Sequence, residues 1–331
     1  MTQLILSGVN YRSEAFARVL SGAFSHRLSL FNSMLAVASD QMIAPVAGDY
    51  ASVAQWDALS GHADKISTSL TTTINAPSQF KHRWPWVERE KAWGADEIIL
   101  TIAGKEHDAT KAIAEMAAEY WAGEIHYDAI NVANGAFASA LAATHVKDDS
   151  GSSITKEGII AAKKLLGDNS DKLSAIVMNS SVYADALTSN MISNYTALGD
   201  SVVLQGTIPK MLGMTPYQTD LLTATAGVYP TLLGLAGSMI YKTRPRPNAT
   251  YNNTNRFRIG NLDIVLYRNS TSNGGYDALI SRLSYCVGIP GVQYDDTGGV
   301  NPTSTVLATS TSYTKVQTDD KLIPLVMYKS N

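Results

Sequence analysis

Between Asp108 and Ala142 the chain reads DATKAIAEMAAEYWAGEIHYDAINVANGAFASALA, with no proline anywhere in the run. Ile113, Met116, Tyr120, Tyr127, Ile130, Asn134, Phe137 and Leu141 recur at spacings near three and four or their multiples, which places them on one helical stripe. Asp108 suits an N-cap, and the intervening alanines cost almost nothing in helix propensity. Gly123 and Gly135 are the weak points of the run, or places where another segment comes close. A continuous helix of this length would be roughly 50 Å long. That is several times the usual globular helix of about 11 to 12 residues. Such a rod needs a sheet or another subunit along its apolar side.

A chain of 331 residues can bury a substantial core and divide into lobes. Its net charge of −3 argues against a dedicated nucleic-acid or membrane-surface protein. No apolar run is long enough to cross a bilayer, and the N-terminus lacks the pattern of a secretory signal. Cys286 is the single cysteine, so no intrachain disulfide can form. Only 17% of residues are charged. That proportion suits a surface much of which touches other subunits, or a β-rich protein with many turns.

Tyr11 to Val37 carries Phe16, Leu20, Phe24, Leu28, Phe31 and Leu35 at near-helical spacing. It reads either as short helices against the body or as an arm reaching a neighbour. From Met42 to Ala92 the character changes: an apolar run broken by proline and a short ambiguous piece lead into alternation over Ile66, Ser67, Thr68, Ser69 and Leu70 with frequent threonine, and the whole reads as a long two-stranded excursion. A lone hairpin is marginal in water, so this one needs something to lie on. The KHRWPW cluster within it mixes bases and aromatics. Nearby acids cancel its charge, and anchoring at an interface suits it better than nucleic acid. Ile98 to Ile102 reads as a short strand leading into the helix.

Lys147 to Ser153, KDDSGSS, reads as a linker and domain boundary. Ile154 to Leu166 is helical, with Thr155 as N-cap and Gly167 past its end. Leu173 to Asn179 is a buried strand, followed by a helix capped by Ser180 or Ser181. Val228 to Ile240 holds one more buried strand. Tyr241 to Arg258 is the most basic run, with Lys242, Arg244, Arg246, Arg256 and Arg258 facing no nearby acid before Asp263. It suits phosphate, an acidic patch on an identical neighbour, or a solvated loop. Tyr276 to Gly288 reads as a strand or short helix, with Cys286 a small buried apolar group. Lys321 to Tyr328 is a strand that Pro324 places at a sheet edge.

No catalytic constellation emerges. GxxxxGK[ST], a dinucleotide fingerprint, HExxH and GxSxG are all absent. The six histidines are scattered, and metal binding needs several ligands converging on one point. Glu115 and Glu119 read as one charged helix face. The residues call for no cofactor and no catalytic or metal site.

The order of pieces resembles the major capsid proteins of tailed bacteriophages, the family with the HK97-type coat fold. The phrases that carry the resemblance are IILTIAGKEHDATKAIAEMAAEYWAGEIHYDAI, then EGIIAAKKLLGDNSDKLSAIVMNSSVYADAL, GTIPKMLG and the C-terminal YTKVQTDDKLIPLVMYK. The stretch Gly291 to Ser312 is longer than in the simplest members. The resemblance implies an α+β HK97-like capsid fold. Its parts would be an N-terminal arm (1–45), an extended loop (46–95) and a peripheral-domain strand with the spine helix (96–149). An axial domain (150–290) and C-terminal strands returning to the peripheral domain (291–331) would follow.

It also implies a non-enzymatic subunit that self-assembles into an icosahedral shell around a double-stranded DNA phage genome. Identical subunits would associate as hexamers and pentamers, with scaffolding, portal and decoration proteins as further partners and no membrane. The protein would reside in the virion after assembly in the host bacterial cytoplasm. Trp56, Lys81, Arg83, Trp84, Trp86 and Arg89 of the extended loop would contact neighbouring subunits. Lys242, Arg244, Arg246, Arg256 and Arg258 would face a neighbour or the DNA, whose contact would be non-specific. Some members join a loop lysine to a neighbour's asparagine. Lys65 and Lys81 lie in the loop, but no partner asparagine can be placed and that chemistry is not carried over. The alternatives are an encapsulin-like cargo shell and a soluble α/β enzyme.

Overall fold

A computed structural model of the chain describes residues 35–38, 49–56, 79–96, 106–189, 191, 210–244, 256–259, 261–269, 276–295 and 299–331. The expected strand at 98–102 and nearly all of the expected arm lie outside the described residues. In chain order the strands are β1 (Ala36–Ala38), β2 (Tyr50–Trp56), β3 (Gln79–Pro85) and β4 (Val87–Asp96). The helix α1 (Glu106–Ala138) follows, then β5 (Val146–Asp148), α2 (Lys156–Lys164), a 3-10 turn (Gly167–Lys172), β6 (Ala175–Met178) and α3 (Ser180–Thr188). Next come β7 (Thr215–Gln218), β8 (Tyr229–Gly234), β9 (Met239–Arg244), β10 (Arg256–Ile259), β11 (Leu262–Asn269) and β12 (Tyr276–Gly288). The chain ends with β13 (Val292–Tyr294), α4 (Ser304–Leu307), β14 (Tyr313–Lys315) and β15 (Leu325–Ser330).

Two larger sheets flank α1. One is six-stranded, ordered β1-β9-β12-β11-β10, with β4 also pairing with β12. The other is five-stranded, ordered β5-β15-β8-β6-β7. The main core draws on α1, on Leu283, Tyr285 and Val287 of the first sheet, and on Val177, Leu232 and Met327 of the second. A second core lies on the far face of the five-stranded sheet, under Ile159 and Ala162 of α2 and Val182 and Ala186 of α3.

The helix runs unbroken for 33 residues, but it begins at Glu106, so Asp108 lies within it and is not its N-cap, and it ends at Ala138, four residues before the expected end. Ile130, Phe137 and Leu141 of the expected stripe are buried, but the buried side is wider than that stripe and excludes Tyr127. Trp121, Ile125, Ala129, Val132, Ala133 and Ala136 are buried, whereas Tyr127 is 42% exposed. Alanines read as inert spacers therefore face the sheets, because small side chains allow close approach of helix and strand backbones. Gly135 is such a point: Leu307 and Tyr313 pack directly on it.

Local signals place α2 well. The Thr155 side chain accepts the Gly158 N–H (3.1 Å), and Gly167 adopts φ +51 beyond its end. At α3 the cap is Asn179, whose side chain accepts from Ser181, not Ser180 or Ser181. The amide also donates to the Leu222 carbonyl (3.0 Å), a second bond that serine is too short to add.

Several expectations are overturned by long-range pairing. Residues 150–290 contribute strands to both sheets: β6–β8 belong to the five-stranded sheet and β9–β12 to the six-stranded one. The single strand expected at 228–240 is two strands in different sheets, joined by a turn in which Gly237 has φ +88. The expected linker at 147–153 begins in β5, which pairs parallel with β15. β15 is itself interior, between β5 and β8, and not an edge. Pro324 is compatible because it precedes the strand, and its carbonyl accepts the Leu235 N–H (3.2 Å). No described helix is long and apolar enough to cross a membrane.

Candidate functional site

The excursion proposed from the sequence begins as a two-stranded ribbon, β2 against β3, that joins no other sheet among the described residues. Its register sets Ala51 opposite Trp84 and Val53 opposite His82. Alternation then sends His82 and Trp84 to one side and Lys81 and Arg83 to the other. His82 and Trp84 are each 1% exposed, whereas Lys81 is exposed and Arg83 lies 4.9 Å above the Tyr50 ring.

The buried side is fastened to the chain's own body. The Trp84 indole donates to the Val292 carbonyl (2.9 Å) and stacks on His82 with ring centres 5.2 Å apart. The ring passes over Gly288, where an added Cβ would lie 2.3 Å from it. The Gly291 N–H donates to His82 Nε2 (2.6 Å), which requires that nitrogen to be unprotonated. Trp86, also 1% exposed, packs in the same cluster with Ala51 and Cys286. Burial pushes the Cys286 thiol up to about 12, so it is an unreactive apolar group.

Trp84 and Trp86 are therefore internal anchors of the ribbon, and their rings are not available to a neighbouring subunit. The mixture of bases and aromatics in KHRWPW was legible. The partners that cover its inner side, Gly288 to Val292, come from about two hundred residues away and were not. Arg89 is likewise committed within the chain, donating to the Pro302 carbonyl (2.8 Å) and pairing with Asp128 on α1 (3.2 Å). Trp56 pairs in backbone register with Gln79 at the far end of the ribbon.

The basic run is also partly neutralised. Arg244 is 8% exposed, lies 4.3 Å over Trp86 and pairs with Glu88 (3.7 Å). The sheet register explains the pairing, since Glu88, Ser284 and Arg244 fall in one row across β4, β12 and β9. In a second row Glu90 pairs with Arg282, which stands opposite Asp263. Arg244 thus faces acids that are distant in sequence, and the expectation of a free cationic patch fails there. Lys242 stands opposite Cys286 on β9, Arg256 and Arg258 lie on β10, and Arg246 is outside the described residues.

Sequence reading missed Asp128, a buried carboxylate in mid-helix. It accepts the Tyr285 hydroxyl (2.7 Å) and the Arg89 guanidinium. Burial, reinforced by Asp128, holds the Tyr285 hydroxyl far above its usual pKa, so it remains a donor. An acid amid apolar helix positions was the available signal. Among the described residues no group of three or more His, Cys, Asp or Glu could hold a metal ion.

His82 gives the hairpin base a pH dependence. Burial lowers its pKa from 6.5 to about 4. Between those values the unfolded chain binds the proton and the folded chain does not, so stability rises with pH. The term is complete above pH 6.5 and is lost as pH falls toward 4. A shift of this size corresponds to at most about 3 kcal/mol. Urea midpoints measured from pH 4 to 7.5 should rise with pH, and His82→Gln should lessen that rise without abolishing it, since burial also lowers His126 to about 4 and lowers His145.

The same arrangement of sheets about a long helix occurs in solved capsid structures. The capsid of a native GTA particle superposes with a TM-score of 0.54 at 10% identity, covering 92% of this chain and 90% of that one. The cyanophage Pam1 capsid gives 0.54 at 13% identity, with 91% and 89% covered. A chain from Mycobacterium phage Adephagia gives 0.52 at 8% identity, with 92% and 90% covered. At such identities these likenesses establish the fold. A search of curated protein sequences finds no match. The family model described as Gp13-like, "Major capsid protein 13-like", matches residues 27–327, nearly the whole chain including both sheets, α1 and the anchored ribbon; the chain belongs to that family of major capsid proteins.

Proposed function

We propose that the chain builds its shell by laying the β2–β3 excursion across a neighbouring copy. A major capsid protein is a self-assembling structural component of the virion of a tailed double-stranded DNA phage, and not an enzyme. The observation that carries the proposal is the construction of the ribbon. Its inner side is pinned by Trp84 to the body, while the ribbon pairs with no other strand among the described residues. A pinned base gives the excursion a set direction toward that neighbour. Burial against that neighbour stabilises the excursion in the assembled state.

Heterologous contacts of this kind, repeated about rotation axes, close into hexamers and pentamers. The exposed Lys81 and the half-buried Arg83 are the loop residues placed to contact other copies. Contact with packaged DNA is non-specific and modest, because a net charge of −3 leaves few phosphates neutralised. Assembly takes place in the host cytoplasm.

The test replaces residues 57–78 by a short Gly-Ser turn. The purified variant should keep the wild-type circular dichroism and Trp fluorescence yet form no shells by electron microscopy or sedimentation. Normal shells from this variant would overturn the proposal.

A further inference from the structure

Two outer surfaces of the five-stranded sheet carry large apolar side chains in solvent, and they differ in charge. On α2, Ile160 is 55% exposed and the capping residue Leu165 is 36% exposed. Lys163 and Lys164 lie between them, with Lys164 exposed and Lys163 Nζ 3.5 Å from the Leu212 carbonyl. In the adjoining 3-10 turn Asp168 is taken by Lys321 (3.3 Å), while Asp171 lines the same groove as Lys163 and Lys164 and is offset by the exposed Lys172, as Glu157 is by Lys156 at the start of α2, which leaves Lys163 and Lys164 as the excess charge. This surface is apolar and basic.

On the second surface Leu187 of α3 is 37% exposed and Leu221, in the turn after β7, is 36% exposed. Asp185 and Asp220 accompany them and are exposed. The helix and the turn contain no lysine or arginine. This surface is apolar and acidic. Ser180 Oγ donates to Asp220 (2.6 Å), which ties the turn to the start of α3.

Strand direction separates the two. β6 and β7 are parallel. The 3-10 turn and Leu212 precede them, whereas α3 and the 219–222 turn follow them. Leu212 and Leu221 therefore stand at opposite ends of these strands. Two different surfaces at opposite ends, one basic and one acidic, cannot pair with themselves about a two-fold axis without setting like charges together. They can pair head to tail. Their apolar parts supply burial, and their charges supply register and exclude the reversed pairing.

We propose that the α2 surface of one copy docks on the α3 and 219–222 surface of the next, and that repetition of this contact closes the ring of a capsomer. This rests on the shell reading above and adds the residues and chemistry of one contact. The partner is a second copy of this chain.

The test is a charge exchange. Variant one carries Lys163→Glu and Lys164→Glu, variant two carries Asp185→Lys and Asp220→Lys, and variant three carries all four. Ring and shell formation is followed by sedimentation and electron microscopy, and the fold by circular dichroism. Because Asp220 also accepts the Ser180 bond, Asp185→Lys alone serves as a milder form of variant two. Variants one and two should each lower the assembled fraction roughly tenfold or more at low salt. Variant three should restore it, because the opposite charges again face one another.

Assembly of variants one and two at the wild-type level would overturn this contact and leave the shell reading standing. Failure of folded variant three to regain assembly would also overturn it. A wild-type chain that forms no capsomers or shells would instead remove the shell reading, and this inference with it.

Discussion

Replacing Trp84 with alanine is expected to destabilise the subunit by about 3–5 kcal/mol, the range for removing a large aromatic side chain from a core. The ring is 1% exposed and fills the space over Gly288, where neighbouring backbone cannot collapse far enough to close the void. The substitution also leaves the Val292 carbonyl without its indole donor and removes the stacking partner of His82. In urea unfolding the midpoint should drop sharply at nearly constant m-value. Hydrogen exchange at β2 and β3 should accelerate before exchange at α1 does, since Trp84 holds the ribbon to the body. A loss below about 1 kcal/mol would show that the ribbon is not held this way. Assembly should fail in the same variant because the excursion loses its set direction.

The two glycines of α1 should respond to alanine in opposite directions. At Gly123 an added Cβ meets nothing within 4 Å, and the position is exposed. Alanine there gains helix propensity and should stabilise by about 0.5–1 kcal/mol. At Gly135 the added Cβ would lie 2.4 Å from the Leu307 carbonyl oxygen and 2.4 Å from the Tyr313 ring. Backbone cannot swing aside as a side chain can. The helix would have to part from the 304–315 segment, losing the Tyr313–Tyr294 ring contact and straining the Ser139 bond to the Tyr313 carbonyl. Overpacking of this kind costs about 1–3 kcal/mol, more than the propensity gain. Thermal melting of the two single variants reads the difference directly. Equal shifts would mean that the segment yields freely and that Gly135 is no contact point.

The contrast also shows where sequence reading reached its limit. Both glycines looked like weak points in one helix, and only the return of residues 304–315 distinguishes them. The same holds for Trp84 and Trp86. Their neighbourhood in KHRWPW suggested anchors, and anchors they are, but to Gly288 and Arg244 of the same chain. Arg244 looked unopposed because Glu88 is distant in sequence and adjacent across the sheet.

By itself the sequence determined the periodic and capped elements: an uninterrupted long helix, and α2 between Thr155 and Gly167. These follow from side-chain spacing and local hydrogen bonding, which act within a few residues. The succession of such pieces was also enough to indicate a coat protein. Tertiary structure alone decided how far the buried side of α1 extends beyond the predicted stripe, that β8 and β9 part into different sheets, that β15 is interior, and which charges neutralise one another. Each of these depends on strand pairing across long stretches of chain. A strand's own residues state which of its faces is apolar but not which strand will lie beside it.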